Sequence, residues 1–235
     1  MNTDPELEQL IHLLALEAKY QINESVLGEL LAEGTLVELA TYEPMVDAGK
    51  FDPNVYVVKR GLIRGTYLDK NIEKTAGFAL PGTLLISFHS YYGDEPSYYR
   101  FEACCPTEVI RIPKAHFDSM LASSHEFALY MISCHQNQLY YNEYKNQVLS
   151  GDAKTRLVQL TCRLSGLIDG YTYDDAVLED VRPDMDHESA VKKELFQRWK
   201  EIFRIVPSKI IASYLGITEQ HLSKIKKELL RGSGV

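Results

Sequence analysis

The chain has 235 residues, 45% of them hydrophobic and 25% charged, enough mass for one or two domains with a real core. No apolar run approaches the roughly 20 residues needed to cross a bilayer, and the N-terminus opens on Asp4, Glu6 and Glu8 instead of a basic leader. A cytoplasmic location without membrane contact is therefore expected, and the net charge of −8 gives no reason for attraction to nucleic acid along the whole chain.

Leu7, Leu10, Ile11, Leu14 and Ala18 share one face behind Asp4-Pro5, which predicts an amphipathic helix over 4–18. A second short helix, 25–33, ends at Gly34. From Thr35 the texture changes to short Val-, Ile-, Tyr- and Thr-rich segments broken by turn residues. Strands are predicted at 35–42, 55–60, 62–68, 73–80, 83–88, 98–104 and 107–112, with turns at Asp47–Lys50, Asp69–Asn71, Pro81-Gly82 and Gly93–Pro96. Many short strands at this spacing point to a sandwich or barrel, of which the double-sheet jelly roll is one form.

Ile112-Pro113 closes the sheet region, and 114–149 reads as a short helix and then a long one, with a break near Ser123-Ser124. On the long helix Phe127, Cys134, Tyr141 and Val148 recur every seven residues, with Tyr130, Asn137 and Tyr144 between them. Such a row is a seam for a partner helix, its Asn fixing register, or else a helix lying against its own barrel. Gly151-Asp152 marks a hinge, and Leu157, Leu160, Leu164 and Leu167 define a helix over 153–168. Residues 171–188 carry seven acids against one Arg and read as a solvated loop with no metal, since they lack the EF-hand pattern. A helix over 189–204 leads into the last element.

That element, Val206–Leu230, reads as two helices around a short turn. Ser208 is the expected cap of the first, Gly216 the residue that ends it, and Thr218 the cap of the second. Ile211, Tyr214 and Leu215 face Leu222, Ile225 and Leu229, with the small Ala212 at the crossing. This is the spacing of a DNA-binding helix-turn-helix. Residues 192–235 hold ten Lys/Arg against four Glu, a net of +6, which leaves −14 on the remainder and concentrates attraction for phosphate at this end. The candidate DNA-binding residues are Lys209, Thr218, Glu219, Gln220, Ser223, Lys224, Lys227 and Arg231. Gln220 and Lys224 are the candidates for base edges, and Lys209, Lys227 and Arg231 for phosphates.

The order of these parts resembles the Crp/Fnr family of bacterial transcription regulators over essentially the whole chain. The most specific match is Ile210–Ile225, where Gly216, Thr218, Leu222 and Ile225 fall on the family's core and cap positions; Val57–Gly61 and Pro81-Gly82 resemble turns of its β-roll. The resemblance implies an α+β chain with a cyclic-nucleotide-binding-like β-roll (1–122), a dimerisation helix (123–150) and a helix-turn-helix domain (151–235). It also implies a homodimer along the long helix that binds a near-palindromic duplex, with RNA polymerase as a further candidate partner.

The sensor departs from the family. The Glu that holds the ribose in cyclic AMP-binding members aligns near Ser87, and the Arg-Ser pair for the phosphate near Ser97-Tyr98, leaving Arg100 as the nearby cation. A buried phosphate without a positive partner is poorly compensated, so a response to cyclic AMP is not expected. The candidate effector pocket is Ser87, Phe88, Ser97, Tyr98, Tyr99, Arg100 and Tyr141, for an unknown small molecule or none. No Cys precedes Cys104, so no N-terminal iron–sulfur cluster is expected; His89, His116, His125 and His135 are the residues a haem would have to use, and no cofactor or metal is predicted. Cys104, Cys105, Cys134 and Cys162 form neither a disulfide framework nor a CxxC site. With one His in the roll, no HxH pair, no phosphate loop and no nucleophile elbow, no catalytic residue is assigned. The alternative reading is a small-molecule-binding roll whose helix-turn-helix serves only as packing.

Overall fold

The computed structural model describes residues 5–18, 20–164 and 200–231, and their side chains except 144–150, 162 and 229–231. The acidic stretch 171–188, most of the expected helix 189–204 and the end of helix 153–168 lie outside the described residues. By its contacts the chain divides into one unit of residues 1–72 and 76–142 and a second of 73–75 and 143–235.

The first unit opens with α1 (Pro5–Leu16) and α2 (Glu24–Ala32), the latter capped by Asn23, whose side chain accepts the Ser25 N–H at 3.0 Å. Two four-stranded antiparallel sheets follow, built from β1 (Thr35–Leu39), β2 (Pro44–Val46), β3 (Val55–Arg60), β4 (Ile63–Asp69), β5 (Ile72–Ala79), β6 (Leu84–Ile86), β7 (Arg100–Ala103) and β8 (Thr107–Ile112). Their orders are β1-β8-β3-β6 and β2-β7-β4-β5, the double-sheet roll expected from the strand spacing. The helices α3 (Phe88–Tyr92), α4 (Lys114–Ser123) and α5 (His125–Ser150) complete the unit, with α5 crossing the boundary at 142/143.

Alternation along β3 shows how the core is divided. Tyr56 and Val58 face inward between the sheets with Leu39, Val46, Ile63, Ala79, Ala103 and Val109. Val55 and Val57 face outward, where Ile110 and Ile112 join Leu10, Leu14, Leu27, Leu30, Phe117, Phe127 and Tyr130 from the helices. Both faces of this sheet are covered, which is why Val55–Val58 reads as an unbroken apolar run. The Pro81-Gly82 turn is held by Gly82 N–H to Val58 O at 2.9 Å; Gly82 has φ +86°, and a Cβ there would come within 2.7 Å of Leu13 Cβ. Only glycine fits that close approach to α1.

Three strand expectations need correction. The segment 35–42 stops at Leu39, and a separate β2 begins at Pro44, because Tyr42 turns the chain with φ 67° before pairing resumes with β7. The segment 83–88 ends at Ile86, and Phe88–Tyr92 is helical instead, with Tyr91 N–H bonded to Ser87 O at 2.8 Å. The segment 98–104 is strand only from Arg100. The break near Ser123-Ser124 is present: Ser124 is extended (φ −114°, ψ 106°), and its hydroxyl accepts the Phe127 N–H at 3.1 Å as the cap of α5.

The seven-residue row on α5 follows the second of its two readings, a helix lying against its own unit. Its described N-terminal half is not left open for a partner helix but is taken up inside the unit. Phe127 and Tyr130 are fully buried, and Phe127 stacks edge-on against Phe117 at 5.3 Å. The same side of α5 is stitched to the end of α1 and the connector after it. Tyr130 OH donates to Leu14 O at 2.9 Å and Asn137 Nδ2 to Glu17 O at 2.6 Å, while Ser133 Oγ accepts Tyr20 N–H at 3.2 Å and Glu126 Oε1 accepts Asn23 N–H at 2.6 Å. The carbonyls at a helix end need donors, and Asn137 supplies one there instead of fixing a register. Tyr141 is half-buried; the side chains of Tyr144 and Val148 lie outside the described residues.

The second unit contains α6 (Ala153–Leu164), a helical segment at 200–205, α7 (Ser208–Leu215) and α8 (Glu219–Arg231). Leu157, Leu160, Leu164, Ile202, Val206, Ile210, Ile211, Leu215, Leu222 and Ile225 are all buried, and α7 touches both α6 and α8. Asp152 opens α6 by accepting the Thr155 N–H at 2.8 Å, the hinge pair Gly151-Asp152 thus serving as a helix start.

Candidate functional site

The α7–α8 connection is built from three residues. Gly216 sits in the left-handed region (φ 65°, ψ 33°). Ile217 N–H then reaches Ala212 O at 3.0 Å and Gly216 N–H reaches Ser213 O at 3.2 Å, the paired bonds of a Schellman ending. Thr218 follows as the cap of α8, its hydroxyl accepting the His221 N–H at 3.1 Å. Ala212 is buried at the crossing. Ser208 does not cap α7, contrary to expectation: Pro207 holds the cap position, its carbonyl taking the Ile210 and Ile211 N–H groups.

The two helices therefore leave a defined face. On α8, Leu222 and Ile225 point inward while Glu219, Gln220, Ser223, Lys224 and Lys227 are exposed, as are Thr218 in the turn and Lys209 on α7. Lys224 is 76% exposed and lies 3.9 Å from Glu228 one turn on, a pairing too loose to hold it from another anion. The Arg231 side chain lies outside the described residues. Lys226 was not singled out by sequence: its ammonium sits 3.5 Å over the Phe203 ring, and burial pushes its pKa down. That contact ties α8 to the segment at 200–205. A Lys placed one residue beyond the buried Ile225, with an aromatic in the helical segment ahead of α7, was the available signal.

The roll residues separate into three groups. Ser97 is buried and turned back on its own loop, Oγ donating to Tyr99 O at 2.7 Å, and Ser87 is buried with Oγ 3.4 Å from Ser90 Oγ. Tyr98 stacks on Tyr67 (6.1 Å) and on His89 (5.8 Å), and Tyr99 meets Tyr67, Tyr98 and Phe101. Burial, and then the neighbouring phenols, push the Tyr99 pKa up. Phe88 belongs to a different ring group, stacked on Tyr92 at 6.0 Å and tilted against His135 at 5.7 Å.

Arg100 is engaged by carboxylates. It reaches Asp47 Oδ1 at 3.0 Å and Glu102 Oε2 at 2.8 Å. Glu102 also faces Arg64 directly across the β4–β7 ladder and accepts from Arg64 Nε at 2.8 Å and from Nη2. Arg64 and Glu102 are both buried, a cross-strand ion pair that sequence reasoning missed. The only available hint was opposite charge on two strands whose register a sequence does not reveal. Two Arg and two acids balance, so the lone cation expected of the pocket is already neutralised.

Among the described residues Cys104, Cys105 and Cys134 are free thiols; burial pushes Cys104 and Cys134 up to about 12, which keeps both protonated and inert. No group of three His, Cys, Asp or Glu that could hold a metal ion occurs among the described residues, and none of their helices is long and apolar enough to cross a membrane.

No family model and no curated protein matches the chain by sequence. Solved structures do. FixK2 from Bradyrhizobium japonicum superposes with a TM-score of 0.60 at 14% identity, over 84% of this chain and 85% of its own. The c-di-GMP responsive global regulator CLP of Xanthomonas campestris gives 0.57 at 13% identity, over 89% and 92%. A CooA variant of Carboxydothermus hydrogenoformans gives 0.54 at 16%, over 86% and 78%. At these identities the likeness speaks for the fold, and the fold is that of the Crp/Fnr regulators.

Proposed function

We propose that this chain is a sequence-specific DNA-binding transcription regulator of the Crp/Fnr type, acting as a homodimer on a near-palindromic duplex. The observation that carries the reading is the Gly216–Thr218 turn. It locks α7 against α8 so that Leu222 and Ile225 are buried while Gln220, Ser223, Lys224 and Lys227 share an open face. A helix held this way enters a major groove with its N-terminal half against base edges. The basic balance of residues 192–235, ten Lys/Arg against four Glu, supplies the attraction to phosphate that the acidic remainder of the chain lacks.

In this reading Gln220 pairs with adenine and Lys224 with guanine, while Lys209 and Lys227 contact phosphates. Cyclic AMP in the family's manner is not the effector, since Ser87 and Ser97 bring no charge and Arg100 is spent on Asp47 and Glu102.

Selection of bound duplexes from random DNA, followed by titration of variants, tests the proposal. Gln220→Ala should change preference at one base per half-site, at a cost of roughly 1–3 kcal/mol on the preferred duplex. Lys227→Ala should weaken all duplexes alike and flatten the salt slope by about one. A chain that selects no sequence, or a Gln220→Ala variant with unaltered affinity and preference, refutes the reading.

A further inference from the structure

We infer that α3 is latched in place by the chain's own side chains, Tyr91 on Asp118 and Lys114 of α4 and Ser90 on the 47–52 loop, so that this protein binds its duplex with no small molecule in the roll. This rests on the DNA-binding reading above and adds how the sensor is set.

A helix of five residues makes too few bonds of its own to hold a shape, so α3 takes its order from its surroundings. Tyr91 is buried, its ring edge-on to Phe117 at 5.7 Å, with the Lys114 ammonium 3.8 Å from the ring centre. Its hydroxyl donates to Asp118 Oδ1, and Lys114 reaches Asp118 Oδ2 at 3.1 Å, which closes a three-residue contact between α3 and α4. The hydrogen bond from Tyr91, and then Lys114, hold the Asp118 carboxyl below the ordinary carboxylate range, so the acceptor stays ionised at neutral pH.

The 47–52 loop holds the rest of the segment 87–100. Asp52 N–H donates to Ser90 Oγ at 3.3 Å, and Ser90 Oγ lies 3.4 Å from Ser87 Oγ. Gly49 N–H donates to Ser97 O and Ser97 N–H to Lys50 O, both at 2.8 Å, and Arg100 pairs with Asp47 at 3.0 Å. A small molecule shifts an equilibrium only as far as it prefers one of two arrangements. A segment whose polar groups are already satisfied by the protein has its arrangement selected without one. The route to the rest of the chain is packing: Phe88 and Tyr92 lie on His135 at 5.7 and 6.3 Å, and α5 runs on from there to Ser150.

The test uses the full chain with Tyr91→Phe, Asp118→Ala, the double variant and, as a control that loses a neighbouring phenol hydroxyl, Tyr92→Phe. Hydrogen exchange across 88–92 reads the latch, and titration with the selected duplex reads its consequence. The parent, dialysed until native mass spectrometry shows no added mass, should bind the duplex as tightly as before dialysis. Tyr91→Phe removes one oxygen and should melt as a folded protein, yet exchange across α3 should be roughly three- to tenfold faster, as loss of one hydrogen bond allows. Duplex affinity should fall with it. The double variant should lose no more than the larger single effect, because both changes break the same contact, and Tyr92→Phe should match the parent. Unchanged exchange in both single variants, or additive losses in the double, overturns the latch. Faster exchange with unchanged or tighter duplex binding overturns its role in DNA binding. A parent that binds the duplex only while a small molecule is retained overturns the inference and leaves the regulator reading standing. A parent that binds no duplex before or after dialysis overturns both.

Discussion

Phe127→Ala distinguishes a core residue from a seam residue. Phe127 is fully buried, edge-on to Phe117 at 5.3 Å and stacked near Tyr130 at 6.0 Å, all within one unit. Truncation removes an aromatic ring from a packed interior and leaves a cavity that rigid neighbours do not close, at a cost of about 3–5 kcal/mol. For a chain of this size each kcal/mol moves the melting temperature by roughly 2–4 °C, so the expected drop is about 6–20 °C. The dependence on concentration carries the discrimination. A residue inside one copy loses the same free energy at every protein concentration, whereas a residue between copies acts on association and its effect grows on dilution. Melting the parent and the variant over a hundredfold range of concentration reads this directly. Parallel curves, offset by a constant amount, are expected. A loss below about 1 kcal/mol, or one that appears only in dilute samples, would refute the placement of Phe127 in the core and restore the row as a seam.

Three further outcomes follow from particular contacts. Thr218→Ala removes the hydroxyl that accepts the His221 N–H and should cost about 1 kcal/mol with a matching loss of DNA affinity, while Thr218→Ser restores both. Cyclic AMP or cyclic GMP at millimolar concentration should leave melting unchanged; a ligand at one hundred times its dissociation constant would add about 2.7 kcal/mol, so a clear shift would show that Arg100 gives up Asp47 and Glu102. Glu6 is held below the ordinary carboxylate range first by the hydrogen bond from Lys59 and then by the charges of Lys59 and Arg60. Its folded pKa lies below its unfolded one, so its contribution is complete above the ordinary value of 4.5 and disappears as pH falls through the folded value. Glu6→Gln should therefore flatten the acid limb of the stability curve, and an unaltered limb would show that the pairing with Lys59 and Arg60 adds nothing to the fold.

The local parts of this protein were determined by short-range sequence. Gly216 at φ 65° and Thr218 capping His221 follow from backbone sterics and hydroxyl chemistry within a few residues, so the α7–α8 turn and its outward side chains were legible without coordinates. The break at Ser124 belongs to the same class. Tertiary structure decided what long-range partners decide. The row Phe127, Tyr130, Asn137 has the period of a helix seam, and period cannot tell a second copy from the carbonyls of Leu14 and Glu17, more than a hundred residues away in sequence. Arg64 and Glu102 lie 38 positions apart, and only the register of β4 on β7 sets them face to face and draws Arg100 into the same network. A sequence records which side chains are available for pairing; which of them meet depends on the packing of whole sheets and helices, where burial of apolar surface outweighs any local preference.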